Sequence, residues 1–181
     1  MARPLILILF FCTFFNNHIL FSQNPQAGPI ITDFGKVHKI DNPDFKTNAN
    51  EEFKVVFDIM NSPESHTEVN KTIETAARFL NMHAQSGVPK SQLKVALVVH
   101  NKASKDIIQN EAYQKRYGVS NPNYNLVKDL MDAGVEVILC GQSSRSRNFP
   151  KNELIPGAKI SLSAMTALIQ LQNEDYQLIK F

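Results

Sequence analysis

The spacing of apolar residues predicts strands that alternate with amphipathic helices along residues 51–181. Apolar, β-rich runs predict five strands, at Phe53–Ile59, Leu93–Val99, Val135–Leu139, Lys159–Leu162 and Tyr176–Phe181. Between these runs, apolar residues recur at the spacing of helices. Strands that alternate with helices over short connections form βαβ units, so the sequence predicts an α/β fold with a mainly parallel sheet between helical layers.

Helix ends are predicted from residues that cap or stop helices. The predicted helix starts are Pro63 in the first turn of the first helix, Ser104 for the second, Asn121–Pro122 for the third and Ser163 for the last. The predicted helix ends are Gly87 and Pro89 for the first, Gly118 for the second and Gly134 for the third. These positions leave only short connections between elements, as βαβ units require.

The residues before 51 carry a different pattern. Arg3 and the apolar run from Leu5 to Phe15 predict a secretory signal peptide over residues 1–23, with an uncleaved membrane anchor as the alternative. Residues 24–50 are rich in Pro, Gly, Asn and Asp, which predicts an extended N-terminal arm or a small hairpin. We therefore expect a periplasmic or secreted protein, with no stable membrane span after cleavage and with one domain over residues 51–181.

Composition excludes several classes of function. The formal net charge of +2 gives no electrostatic reason to expect binding to nucleic acid or to an anionic membrane. The histidines have no spacing typical of metal ligands, and no glycine-rich loop could cradle a phosphate, so neither a metal nor a cofactor is predicted. No Gly-x-Ser-x-Gly turn occurs, which argues against serine hydrolase chemistry.

Cysteine usage directs attention to one residue. Cys12 lies within the predicted signal peptide, so the exported chain would retain only Cys140 and could form no internal disulfide. In an oxidising compartment such a thiol is buried and inert, paired between chains, or reactive. The residues alone leave a reactive and a structural cysteine equally open, because unpaired cysteines are among the most often buried residues.

The position of Cys140 favours chemistry. Ligands of parallel α/β sheets bind beyond the carboxyl ends of the strands, where Cys140 follows the third predicted strand and His100 follows the second. Gly141 has no side chain to shield the sulfur, and residues 142–147 can begin a short helix whose amides, together with Arg145 and Arg147, would favour the thiolate. A thiolate there could attack a sulfane sulfur and hold it as a persulfide. His100 could act as a base or bind substrate, or could simply be a polar residue at the sheet rim.

Three stretches of the chain resemble the DsrE/DsrF-like (YchN-like) family. They are Leu93–His100, the block from Asn121 to Ser143 that contains Ala133-Gly-Val-Glu-Val-Ile-Leu-Cys-Gly-Gln-Ser143, and the close from Leu154 to Lys180. The signal peptide and the arm with Gly28-Pro29-Ile30 are similar to the exported branch of that family. The resemblance implies a three-layer α/β/α fold with about five strands, assembly into homo-oligomers (trimers or hexamers), and a cysteine placed like Cys140 that carries a persulfide in a sulfur relay.

The chain also departs from the relay members of that family. Those members work in the cytoplasm, and an alanine-rich segment follows their cysteine where this chain has Gly-Gln-Ser. The first hypothesis is an exported sulfur carrier or sulfurtransferase that exchanges sulfur with a donor or acceptor protein. The alternative is a non-enzymatic small-ligand-binding or assembly module with a structural cysteine. A hydrolase with His100 as base is a third, for which the sequence shows no residue that would orient the histidine.

Overall fold

A five-stranded sheet forms the centre of the computed structural model, which describes residues 24–180. The strands are β1 (Phe53–Ile59), β2 (Leu93–Val99), β3 (Glu136–Cys140), β4 (Lys159–Ser161) and β5 (Gln177–Ile179). They lie in the order β4-β3-β2-β1-β5, and every neighbouring pair is parallel. The predicted parallel sheet is therefore confirmed, with strand ends that differ by one or two residues. The predicted signal peptide lies outside the described residues.

Five α-helices connect the strands in the described part of the chain. They are α1 (Lys71–Gln85), α2 (Asn110–Tyr117), α3 (Tyr124–Asp132), α4 (Gly141–Ser146) and α5 (Ala164–Asn173), with short 3₁₀ helices at Lys90–Gln92, Asn101–Ile107 and Lys151–Glu153. The chain steps across the sheet from β1 to β4, and α5 then carries it back past β1 to β5. Because parallel crossovers are right-handed, this reversal places α5 on the face opposite α1–α3. The fold is thus the predicted three-layer α/β/α.

The two faces of the sheet are covered unequally. On one face, Phe57 and Leu97 pack in a large cluster with residues of α1, α2 and α3. On the other, Val56 and Val98 pack in a small cluster whose helical residues all belong to α5. Alternate residues of a strand point to opposite faces, so β1, β2 and β3 each contribute to both clusters. No helix within residues 24–180 is both long and apolar enough to cross a bilayer.

Two predicted helix starts were wrong. Pro63 lies in a loop, and α1 begins only at Lys71, where the side-chain oxygen of Asn70 accepts a hydrogen bond of 3.0 Å from the N–H of Thr72. Ser104 is buried within a 3₁₀ helix and caps no α-helix. The chain stays extended at Ile108, which forms a β-bridge to Leu154 and so delays α2. A bridge between segments so far apart in sequence leaves no trace in local helix spacing.

The remaining helix ends agree better with their predictions. The third helix begins at Tyr124, two residues beyond Pro122. Ser163 caps α5 as predicted, and its hydroxyl accepts a hydrogen bond of 3.0 Å from the N–H of Thr166. Its capping places the first amides of α5 at the same edge of the sheet as the end of β3, because Ser161 at the end of β4 pairs with Cys140.

The arm is fastened to α1 by one buried side chain. Residues 24–50 contain a single antiparallel bridge, between Gln26 and Val37. Asn81 of α1 is fully buried, and its amide bonds to the backbone of the arm: the oxygen accepts from Ile31 N–H at 2.9 Å, and the nitrogen donates to Ile31 and Gly35 carbonyls at 2.9 and 3.1 Å. Buried amides without such partners destabilise a fold, so Asn81 and the arm need one another.

Gly35 and Gly87 offer a matched test of how closely the arm packs. Both have positive φ, +69° and +89°, so alanine at either site costs about 1–2 kcal/mol of backbone strain. A Cβ at Gly35 would also lie 2.5 Å from the carbonyl carbon of Ala77, whereas one at Gly87 would meet nothing within 4 Å. We expect Gly35→Ala to lower the free energy of unfolding by about 1–3 kcal/mol more than Gly87→Ala, measured by urea denaturation. Equal losses would contradict this packing.

Candidate functional site

Polar side chains form a row along the carboxyl edge of the sheet, on the face covered by α5. Cys140 is the last residue of β3 and belongs to the same cluster as Val98 of β2. The pairing of Val98 with Ile138, continued by two residues, sets His100 beside Cys140 on strands about 4.8 Å apart. Because His100 is two residues beyond Val98, it lies on the same face. The two residues that the sequence singled out are therefore neighbours in register.

Cys140 itself is mostly buried. The residue is 5% exposed and belongs to the smaller core cluster, together with Ala96, Ala164 and Leu171. The strand extends one residue further than its pattern predicted, so the cysteine ends β3 instead of following it. Helix α4 begins at the very next residue. The sulfur thus lies where a strand ends, a helix begins and the sheet meets α5.

Hydrogen-bond donors converge on the sulfur from two helix starts. Burial raises the pKa of the Cys140 thiol, but donors outweigh it: the backbone N–H and hydroxyl of Ser143, and the backbone N–H groups of Ala164 and Gln142. Together they hold the pKa below that of an ordinary cysteine, because each bond stabilises the thiolate more than the thiol. Two of these residues open α4 and one opens α5. The sequence predicted the donors from α4 but not the one from α5.

The hydroxyl of Ser143 is oriented by a second contact. Its oxygen accepts a hydrogen bond of 3.0 Å from the backbone N–H of Asn101, which leaves the hydroxyl hydrogen for the sulfur of Cys140. Asn101 has a φ of +52°, in the left-handed region that asparagine adopts more readily than most residues. Its side-chain oxygen in turn accepts from the guanidinium of Arg147. The backbone conformation of Asn101 after β2 therefore orients the hydroxyl of Ser143 toward Cys140 at the end of β3.

Gly141 and Arg145 occupy places that the sequence did not foresee. Gly141 has no positive φ; a Cβ there would lie 2.4 Å from the carbonyl oxygen of Ser161, so the absence of a side chain lets α4 begin against the end of β4. Arg145 is exposed on α4, and the groups that lower the pKa of Cys140 are the hydrogen-bond donors named above, with no arginine among them.

His100 has an orienting partner that sequence analysis missed. Its Nε2 lies 2.7 Å from Oδ1 of Asp58 on β1, and the other carboxylate oxygen of Asp58 lies 2.9 Å from Nζ of Lys180. Burial raises the pKa of Asp58, but hydrogen bonds and charges from Lys180 and His100 lower it to below its usual value. The carboxylate is therefore ionised at neutral pH and fixes the imidazole in place.

The sequence contains a signal for Asp58, but its contact with His100 depends on the order of the strands. Asp58 is the one charged residue near the end of the first apolar run, and alternation puts it on a definite face. Its contact with His100 required β1 and β2 to be neighbours, which no local pattern reveals. Among residues 24–180, no group of three or more acidic, histidine or cysteine side chains is arranged to hold a metal ion.

Replacement of Ser143 tests the origin of the low thiol pKa. Ser143→Ala removes the hydroxyl donor but keeps the backbone N–H, so the pKa of Cys140 should rise toward that of an ordinary thiol. The measurement is the rate of Cys140 alkylation by iodoacetamide as a function of pH, whose profile should move to higher pH. Ser146→Ala is the control, because that exposed hydroxyl on the same helix bonds only to the Ser143 carbonyl. Identical profiles for the two variants would contradict the assignment.

Comparison with solved structures agrees with the architecture. The protein MTH1491 of Methanobacterium thermoautotrophicum, described as being of unknown function, superposes with a TM-score of 0.55 at 17% identity, over 72% of this chain and 100% of its own. The ychN protein of E. coli superposes with a TM-score of 0.53 at 17% identity, over 71% of this chain and 99% of its own. Identities this low establish the fold alone.

Comparison with sequence families is more specific. No curated protein matches the chain. The model of the DsrE/DsrF-like family matches residues 54–181, which include every helix and strand described above except the first residue of β1. This protein belongs to the DsrE/DsrF-like family.

Proposed function

We propose that this protein is an exported sulfur carrier that holds a persulfide on Cys140. The observation that supports the proposal is the convergence of four hydrogen-bond donor groups on that one sulfur. The thiolate, not the thiol, is the nucleophile in sulfur exchange, so a lowered pKa raises the fraction of Cys140 that is present as the nucleophile. Family membership is consistent with this role.

The chemistry on thiosulfate can be written in one displacement. The Cys140 thiolate attacks the outer sulfur of thiosulfate, a sulfur–sulfur bond forms on Cys140, and the original sulfur–sulfur bond breaks with its electron pair leaving on sulfite. The same amides that stabilise the thiolate would stabilise the terminal sulfur anion of the persulfide. Because Cys140 is only 5% exposed, small donors of this kind are favoured over sulfur carried on the surface of a second protein.

Residues 1–23 would direct export, as the charged start and short apolar run suggest. Export to an oxidising compartment would also explain why the lone Cys140 is held near the core, since an exposed thiol there pairs with other thiols. Transfer onward to an acceptor protein is part of the proposal and would require the sulfur to become more accessible than it is at the 5% exposure of Cys140. His100, fixed by Asp58, would bind the oxygens of the donor or take up a proton beside the sulfur.

Intact-mass spectrometry tests the persulfide directly. After incubation with thiosulfate or polysulfide, the wild-type protein should gain the mass of one sulfur atom, and Cys140→Ala should gain none. Loading should accelerate as pH rises and the thiol ionises, and should level off at a lower pH than for an ordinary cysteine. The same spectrum reports whether the exported chain begins after residue 22 or 23.

Absence of the added sulfur, under conditions that load a known carrier, would overturn the proposal and leave Cys140 as a packing residue. A His100→Gln variant separates the hydrolase alternative, which the Asp58–His100 contact favours. A base that activates Cys140 should make alkylation of the thiol depend on His100, with a loss of about tenfold or more. In a sulfur carrier whose thiolate rests on hydrogen-bond donors, alkylation should persist in that variant.

We also propose that the face bearing α5 forms a homo-oligomer, a trimer or a hexamer. Support comes from its exposed apolar side chains, in contrast with the opposite face, which three helices cover. The exposed fractions are 72% for Leu162, 73% for Met165, 58% for Ile169 and 42% for Leu178. Met165 and Ile169 are one turn apart on α5 and so present one continuous apolar surface.

Charged substitutions on α5 test this assembly. Met165→Lys combined with Ile169→Lys should weaken subunit association by at least about a hundredfold, because two apolar contacts are lost and two charges must be desolvated. Light scattering coupled to size-exclusion chromatography should then show monomers in place of oligomers. Ile40→Lys is the control, since that residue is 66% exposed on the arm. A monomeric wild type, or a double variant that assembles normally, would contradict the proposal.

A further inference from the structure

A crevice of about 160 Å³ opens beyond the carboxyl ends of β1 and β2. Its walls come from the loop after β1, the 3₁₀ helix Asn101–Ile107, the end of α2 and the segment that follows α4. The crevice is smaller than the pockets that bind drug-sized ligands, which occupy about 300–1,000 Å³. It therefore suits an occupant of only a few atoms.

Three cationic side chains from two segments of the chain line this crevice. They are Lys102 and Lys105 of the 3₁₀ helix and Arg147 after α4, against one lining carboxylate, Glu64. Nζ of Lys102 lies 3.0 Å from Glu64, but both side chains are largely exposed, so this pair is weak and easily exchanged for another anion. The guanidinium of Arg147 donates to the neutral side chain of Asn101 and forms no ion pair within the described part of the chain.

Lys105 is held in place by a buried carboxylate. Its side chain is 12% exposed, and its Nζ lies 3.4 Å from Oδ1 of Asp106, which is fully buried. Asp106 also accepts hydrogen bonds from the hydroxyl of Ser62 at 2.9 Å and the amide of Asn70 at 2.7 Å. Asp106 offsets part of the charge of Lys105, but the lining as a whole keeps a positive excess through Lys102 and Arg147. The ammonium group is thus positioned before any ligand arrives.

Aromatic rings form another part of the crevice wall. The ring of His66 lies against the ring of Tyr117, with centroids 4.3 Å apart, and both residues line the crevice. Nδ1 of His66 is buried and has no hydrogen-bond partner among the described residues. That nitrogen is closed to solvent and so does not face the crevice, and the charged side chains are the groups that would contact an occupant.

From this arrangement we infer that the crevice binds a small tetrahedral oxyanion, of the class of sulfate, thiosulfate and phosphate. A guanidinium offers paired N–H donors to two oxygens of such an anion, while the two lysines supply compact charges. The limited volume does not accommodate a whole nucleotide. This binding does not require Cys140 to react, so it goes beyond the persulfide proposal.

The crevice and the sulfur share one connected set of hydrogen bonds. Arg147 donates to Asn101, the N–H of Asn101 donates to Ser143, and the hydroxyl of Ser143 donates to Cys140. An anion on Arg147 would therefore lie at the far end of the chain of contacts that orients a donor to the thiolate.

Titration followed by NMR tests the inference and locates the site. The purified protein is titrated with sodium sulfate, thiosulfate or phosphate, each at constant ionic strength maintained with chloride, because exposed charges are screened by salt. We expect saturable shifts of the backbone amides of His66, Lys102 and Arg147, with a Kd of about 1 mM or tighter for at least one anion. The ranking of the three anions identifies the preferred ligand.

Matched variants make the result decisive. Lys102→Gln and Arg147→Gln, both at exposed positions, should each weaken binding by about tenfold or more, whereas Lys115→Gln, an exposed charge on α2 outside the crevice, should not. Cys140→Ala should bind the anion as the wild type does, which separates this inference from the persulfide proposal. Unsaturable shifts, shifts elsewhere on the surface, or equal affinities in the crevice variants and Lys115→Gln would overturn it.

Discussion

The contact on which the site depends is the close approach of Gly141 to the carbonyl oxygen of Ser161. A side-chain carbon would lie 2.4 Å from that oxygen, so only glycine lets α4 begin directly against the end of β4. This approach brings the first amides of α4 to the sulfur at the end of β3, while Ser163, two residues beyond Ser161, caps the helix that supplies another amide. The lowered pKa of Cys140 is thus owed chiefly to three backbone amides and the hydroxyl of Ser143, which this packing brings to the sulfur.

Much of the architecture could be predicted from the sequence because strands and helices depend on the local spacing of apolar residues. Apolar runs gave all five strands, and Ser163 was identified as a cap because its partner lies only three residues away. The failures have a common cause. The delayed start of α2 depends on the bridge between Ile108 and Leu154, and that of α1 follows a loop tied to Asp106 through Ser62 and Asn70. Such long-range contacts override local preferences.

The site could be predicted only in part, for a related reason. Cys140, Gly141 and His100 follow from the rule that ligands bind at the carboxyl ends of parallel strands. Asp58 and the amide of Ala164 reach the site across the sheet, and their roles depend on strand order. Arg145 and Arg147 were both expected near the sulfur because they are close to Cys140 in sequence, yet Arg145 is exposed on α4, whereas Arg147 contacts Asn101 beside the site. Arg147 directly follows α4 and is only two residues beyond Arg145, yet the two side chains point in different directions.

The fastening of the arm by Asn81 has a consequence for how the unit of folding is defined. The family match begins at residue 54, but the polar amide of Asn81 is satisfied entirely by backbone groups of residues 30–35. A recombinant fragment trimmed to the family boundaries would expose one side of α1 to solvent. The side-chain amide of Asn81 would then lose its backbone partners in the arm. The unit that packs together is therefore longer than the segment that matches the family, and the additional length is the arm that satisfies Asn81.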